Sequence, residues 1–134
     1  MNNNANKRII IVEEDEDARY FLKNYLQKIN CEAFVFGSGA ESTNFIFQMD
    51  QRPDLAIFDY VLPDMTGTQA AEALNRWQDP PVPVIFLSEQ GHLPRRLWAS
   101  PLAIVLKKPV ELFDLRIVIE GLLQNGHSPM SQNA

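Results

Sequence analysis

Short apolar runs recur along the chain at Ile9–Val12, Ala33–Phe36, Leu55–Phe58, Val84–Leu87 and Ala103–Leu106. Each is the length of a buried strand and too short for a helix. Between them, apolar residues follow a three-to-four spacing: Phe21, Leu22, Tyr25, Leu26 and Ile29; then Phe45, Ile46 and Met49; then Ala70, Ala73, Leu74 and Trp77. Leu112, Leu115, Ile119, Leu122 and Leu123 repeat that rhythm until Gly126 ends it. The pattern predicts five strands alternating with five helical segments. The segment from Gly91 to Pro101 is the weakest, because Gly91, Pro94 and the Ser100-Pro101 pair shorten or distort any helix there.

Punctuation agrees with these boundaries. Ser38 with Glu41 three residues on reads as a capping box opening the second helix, and Pro53 and Asp54 introduce the third strand. Near-continuous hydrophobic strands separated by helices imply a parallel sheet covered on both faces and joined by right-handed crossovers. The expected fold is a doubly wound α/β domain with a five-stranded parallel sheet in the flavodoxin-like order 2-1-3-4-5. Residues 7–125 are expected to form it, with residues 1–6 and 126–134 as polar tails.

Composition narrows the possible functions. A chain of 134 residues, 46% hydrophobic, supports one compact core. The net charge of −5 and a pI near 4.9 argue against direct binding to nucleic acid or an anionic membrane. Cys31 is the single cysteine, so neither an intramolecular disulfide nor a cysteine-based zinc cluster is available. The polar start from Met1 to Lys7 has no signal-peptide core, and no apolar run is long enough for a membrane span. The expected location is cytoplasmic.

In open α/β sheets the chemistry collects beyond the carboxyl ends of the strands. There the first strand is followed by Glu13, Glu14 and Asp15, the third by Asp59, the fourth by Ser88, and the fifth by Lys107, Lys108 and Pro109; the second offers only Gly37 and Ser38. If the first strand sits beside the third, as in the flavodoxin-like order, Glu13, Glu14 and Asp59 converge. Gathered carboxylates repel one another unless a cation neutralises them, and a hard divalent ion, Mg2+ first, suits such oxygen donors. A lysine and a hydroxyl on neighbouring strands add a point charge and a donor suited to phosphoryl oxygens.

Over residues 7–125 the chain resembles the receiver domain of response regulators in two-component signalling. The segments that carry the resemblance are Lys7 to Arg19, Arg52 to Gly67, Val84 to Ser88, and Lys108-Pro109, in that order. The resemblance implies that Asp59 accepts a phosphoryl group from a sensor histidine kinase or a histidine phosphotransfer protein. It also implies that Ser88 and Lys108 contact the phosphoryl oxygens, and that Glu13, Glu14, Asp59 and the backbone carbonyl of Val61 hold Mg2+. Lys108-Pro109 would be a cis peptide. Such a domain is a switch rather than an enzyme, assisting only its own phosphorylation and dephosphorylation, and it signals through contacts with a downstream protein that the sequence does not name.

Four departures bear on that reading. Glu14 stands where the family usually has aspartate, so an extra methylene displaces its carboxylate by roughly 1.5 Å; weaker Mg2+ binding and slower phosphorylation are expected. Glu89 follows Ser88 where a small residue is usual, and Val105 stands where an aromatic residue commonly serves as a switch. The span from Ser88 to Lys108 is about two residues shorter than usual, which alters the fourth helix.

The contrasting hypothesis is a degenerate receiver that acts as a protein-interaction module with little or no phosphorylation. An aspartate-nucleophile phosphatase would need an acid/base aspartate two positions after Asp59, where Val61 stands. A flavin binder would need a phosphate cradle where the acidic turn lies. Solvated surface roles account for Asp15, Glu16, Asp17, Lys107, His92 and His127, while Trp77 and Trp98 read as packing or partner-contact residues.

Overall fold

The computed structural model describes residues 7–91 and 102–125. In chain order these form β1 (Arg8–Val12), α1 (Glu16–Lys28), β2 (Glu32–Phe36), α2 (Gly39–Gln48), β3 (Leu55–Asp59), α3 (Gly67–Asn75), β4 (Val84–Ser88), β5 (Ala103–Lys107) and α4 (Leu112–Asn125). The strands make one parallel sheet in the order β2-β1-β3-β4-β5, the flavodoxin-like order expected above. The fourth helical segment expected across Gly91 to Pro101, with His92, Pro94 and Trp98, lies outside the described residues apart from Gly91, as do His127 and both tails.

Alternation along the strands explains the two covered faces. Ile9, Ile11, Leu55, Ile57, Ile85 and Leu87 point one way, onto Leu22 and Leu26 of α1 and Leu115, Ile119 and Leu123 of α4. Ile10, Val12, Ala56, Phe58, Val84 and Phe86 point the other way, onto Ala70, Ala71 and Leu74 of α3 and the half-buried Phe45 and Ile46 of α2. All five residues of β3 and of β4 are buried, which makes them the centre of the sheet. Phe45 also leans on Phe34 and Phe36 of β2, with ring centroids 5.1 Å away in each case.

Helix starts follow side-chain chemistry. Asp15 caps α1 through a bond from the Ala18 amide, and Glu16 and Asp17 suit the positive end of the helix dipole. Ser38 caps α2 by accepting from the Glu41 amide, as the sequence suggests, but the return contact runs from the Ser38 hydroxyl to the Glu41 carboxylate rather than from the backbone. Thr66 and Gln69 form a complete reciprocal capping box at α3 that the sequence reading passed over. Of the two roles expected for Trp77, the structure removes packing and leaves partner contact: α3 ends at Asn75 and the residue is 75% exposed.

Candidate functional site

The carboxyl ends of β1, β3, β4 and β5 open into a cleft of about 760 Å³ lined by Glu13, Glu14, Asp59, Val61, Ser88 and Lys108 among others. Three of these side chains meet directly. The Lys108 ammonium lies 2.7 Å from Asp59 Oδ1 and 3.3 Å from Glu13 Oε1, so one cation bridges two carboxylates. Both acids are buried, Asp59 at 7% exposure and Glu13 at 2%, because Asp59 ends the wholly buried β3 and Glu13 directly follows the four buried residues Ile9–Val12 of β1. The peptide between Lys108 and Pro109 is cis, in agreement with the resemblance.

Electrostatics follow from that arrangement. Burial pushes the Asp59 carboxyl up to about 6; the bond from Lys108 works against the shift and the neighbouring Glu13 adds to it. Burial disfavours the Lys108 ammonium, yet its bond to Asp59 and the charge of Glu13 outweigh that effect and hold its pKa above the ordinary lysine value. Lys108 thus gains from two carboxylates, whereas its pull on Asp59 does not offset burial and the charge of Glu13.

Backbone contacts set the two loops of the site. The Glu13 amide donates to the Phe36 carbonyl at 3.0 Å, and Glu13 Oε2 accepts from the Asp15 amide at 3.0 Å. Arg19 of α1 reaches back to donate to the carbonyls of Glu13 and Glu14 at 2.8 and 2.9 Å. On the β3–α3 loop, the amides of Leu62 and Gly67 donate to the carbonyls of Met65 and Tyr60, so neither of these bonds uses the Val61 carbonyl. Asp64 in the same loop accepts from the amides of Gly39 and Ala40 at 3.0 and 2.9 Å; these bonds hold its carboxyl below the usual carboxylate range. An alanine Cβ at Gly67 would lie 2.5 Å from the Asp59 carbonyl oxygen, so only glycine lets the loop pass this close to β3.

The structure thus brings Glu13, Asp59 and Lys108 together, with Ser88 buried in the same cleft and its hydroxyl accepting from the Gln90 amide at 3.2 Å. Glu14 remains exposed at the rim, as does Val61. Among the described residues no three acids, cysteines or histidines gather closely enough to hold a metal ion. The donor chemistry of Glu13 and Asp59 nevertheless fits a hard divalent cation, because both are buried oxygen donors sharing too little positive charge. Arg19 and Asp64 were missed from sequence: each looks like an ordinary surface charge until the fold shows what it reaches.

Comparison with known proteins converges on one family. The family model described as the response regulator receiver domain matches residues 9–120. Curated relatives include the regulatory protein LuxO of Vibrio cholerae, 26% identical over 85% of this chain and 25% of its own length. The cyclic di-GMP phosphodiesterase response regulator RpfG of Xanthomonas campestris is 29% identical over 87% of this chain and 32% of its own. A probable transcriptional regulator, ycf27, of Cyanophora paradoxa is 26% identical over 92% of this chain and 51% of its own. The chain therefore spans between a quarter and about half of these relatives.

Among solved structures, a CheY-like receiver domain from Methylobacillus flagellatus superposes with a TM-score of 0.74 at 20% identity, covering 88% of this chain and 99% of that one. The response regulator TrrA of Thermotoga maritima, solved in complex with Mg2+ and BeF, gives 0.74 at 23% identity, covering 87% and 98%. These likenesses establish the fold, and the family match spans almost the whole sheet together with the cleft at its carboxyl edge. With the strand order and the matched residues in agreement, the chain belongs to the response regulator receiver domain family of two-component signalling.

Proposed function

We propose that this chain is a working phosphoacceptor switch whose acceptor is Asp59. The observation that carries the reading is the buried Asp59 carboxylate at the end of β3 with the Lys108 ammonium 2.7 Å away. Asp59 attacks the phosphorus of a phosphohistidine on a kinase or phosphotransfer protein; the P–N bond breaks, an acyl phosphate forms, and the departing imidazole retains the bonding pair and takes up a proton. A pKa of about 6 leaves Asp59 mostly ionised at neutral pH, which the attack requires.

Lys108 supplies fixed positive charge for the phosphoryl oxygens, and the Ser88 hydroxyl supplies a donor. Glu13 and Asp59, with Glu14 and the Val61 carbonyl at the rim, would hold Mg2+. When bound, that ion neutralises charge on the transferring group. The domain is a switch rather than an enzyme in its own right, and its output passes through contacts with another protein. No helix among the described residues is long and apolar enough to cross a membrane.

The second reading, a binding module that is not phosphorylated, draws support from exposed Glu14 standing apart from Glu13 and Asp59. Incubation with acetyl phosphate and Mg2+ separates the two. A phosphoryl mass gain that vanishes in Asp59→Asn is expected; no gain from this donor or from phosphorylated histidine kinase leaves the second reading in place.

A further inference from the structure

Strand β2 ends without a titratable group, yet the residue after it packs against the site's support. A Cβ built on Gly37 would lie 2.8 Å from a terminal nitrogen of Arg19, the same nitrogen that donates to the carbonyls of Glu13 and Glu14. Gly37 has no positive φ, so space rather than backbone conformation is what glycine provides there. We propose that Arg19 is a positioning residue for the acidic turn after β1, and that Gly37 keeps open the seat its guanidinium occupies.

One guanidinium nitrogen holds two successive carbonyls, fixing both peptide planes by charge-assisted bonds. The Glu13 amide is held by Phe36 on the opposite side of the same residue, and the Glu13 carboxylate then turns back to the Asp15 amide and across to Lys108. Arg19 touches neither Asp59 nor Lys108 through any of these bonds, so its influence passes through the backbone of the turn. The proposal rests on Asp59 being the acceptor and Glu13 and Glu14 serving Mg2+, and it adds the group that sets where those acids start from.

Arg19→Ala and Gly37→Ala, made in the full chain, test it from two sides. The first removes the guanidinium; the second keeps its charge and displaces it. Both are expected to raise the Mg2+ concentration for half-maximal phosphorylation by acetyl phosphate about tenfold, the usual scale for losing a ligand's support. The rate at saturating Mg2+ should stay within about twofold. Both should also speed hydrogen exchange at the Asp15 amide, which Glu13 holds, relative to the Gln69 amide on the separate Thr66 cap.

A fall in melting temperature with the Mg2+ requirement and the Asp15 exchange ratio unchanged would make Arg19 merely structural and overturn the proposal. An effect in Arg19→Ala alone would assign the role to charge rather than placement and overturn it equally. Should the unmodified chain take up no phosphoryl group, the functional reading fails by itself, and the Asp15 exchange ratio in the two variants decides the positioning role.

Discussion

Lys108 and Asp59, 49 positions apart in the chain, form the shortest ion pair among the described residues, at 2.7 Å, and the same ammonium is 3.3 Å from Glu13. Removing it leaves two buried carboxylates facing each other. Lys108→Met is therefore expected to lower stability at pH 7.5 by about 2 kcal/mol, between the ranges for exposed and fully buried pairs. The loss should shrink at pH 5, where Asp59 is protonated. Urea midpoints at the two pH values check this; equal losses would mean that packing of the lysine stem, not charge, is at stake.

Asp59 itself titrates against folding. Its folded-state pKa of about 6 exceeds the ordinary 3.8, so the stability gained from its neutral form is complete below pH 3.8 and is lost as pH rises through 6. In metal-free buffer Asp59→Asn should consequently be more stable than the natural chain at pH 7.5, with the advantage fading toward pH 4. Thermal melts of both proteins across that range make the comparison, and an advantage independent of pH would contradict it.

At the rim, Glu14→Asp shortens an exposed side chain that must fold back to share an ion with Glu13 and Asp59. The Mg2+ concentration for half-maximal phosphorylation is expected to fall, by an amount on the order of tenfold, and phosphorylation at limiting Mg2+ to quicken. Mg2+ titration of acetyl phosphate uptake reads both quantities. No change in either would remove Glu14 from the ligand set.

Gly67→Ala tests the closeness of the loop to β3. The added methyl would meet backbone, the Asp59 carbonyl oxygen at 2.5 Å and the Tyr60 Cα at 3.0 Å, and no flexible side-chain end is there to yield. A destabilisation of about 1–3 kcal/mol is expected, the usual scale of overpacking, together with slower phosphorylation as Asp59 shifts. Denaturant midpoints and phosphorylation rates measured together would reveal whether the two effects travel as a pair.

The five strands and both helix-covered faces were legible in the sequence because a buried parallel strand is hydrophobic nearly throughout, as in Leu55–Phe58 and Val84–Leu87, whereas their order came from the flavodoxin-like arrangement and not from the apolar pattern. Each observed strand is one residue longer than its apolar run. Backbone pairing continues where hydrophobicity stops, so Asp59 pairs with Leu87 and Ser88 with Lys107. Glu13, Asp59, Ser88 and Lys108 were legible as a group because they share one edge of the sheet. The bridging of two acids by Lys108, the outward station of Glu14, and the reach of Arg19 and Asp64 were not, since side-chain direction depends on partners distant in sequence. The helical spacing of Trp77 with Ala70 and Leu74 overreached for a related reason, since α3 ends before the face it would have joined.

The central position of β3 and β4 separates the durability of the site's parts. Asp59 and Ser88 stand at the tips of strands buried throughout and flanked on both sides, the places expected to exchange their amide hydrogens only on global opening. Glu14, Asp15 and Val61 stand on exposed turns, and Lys108 follows an edge strand. The surroundings of Asp59 are thus expected to open locally while its own backbone stays protected.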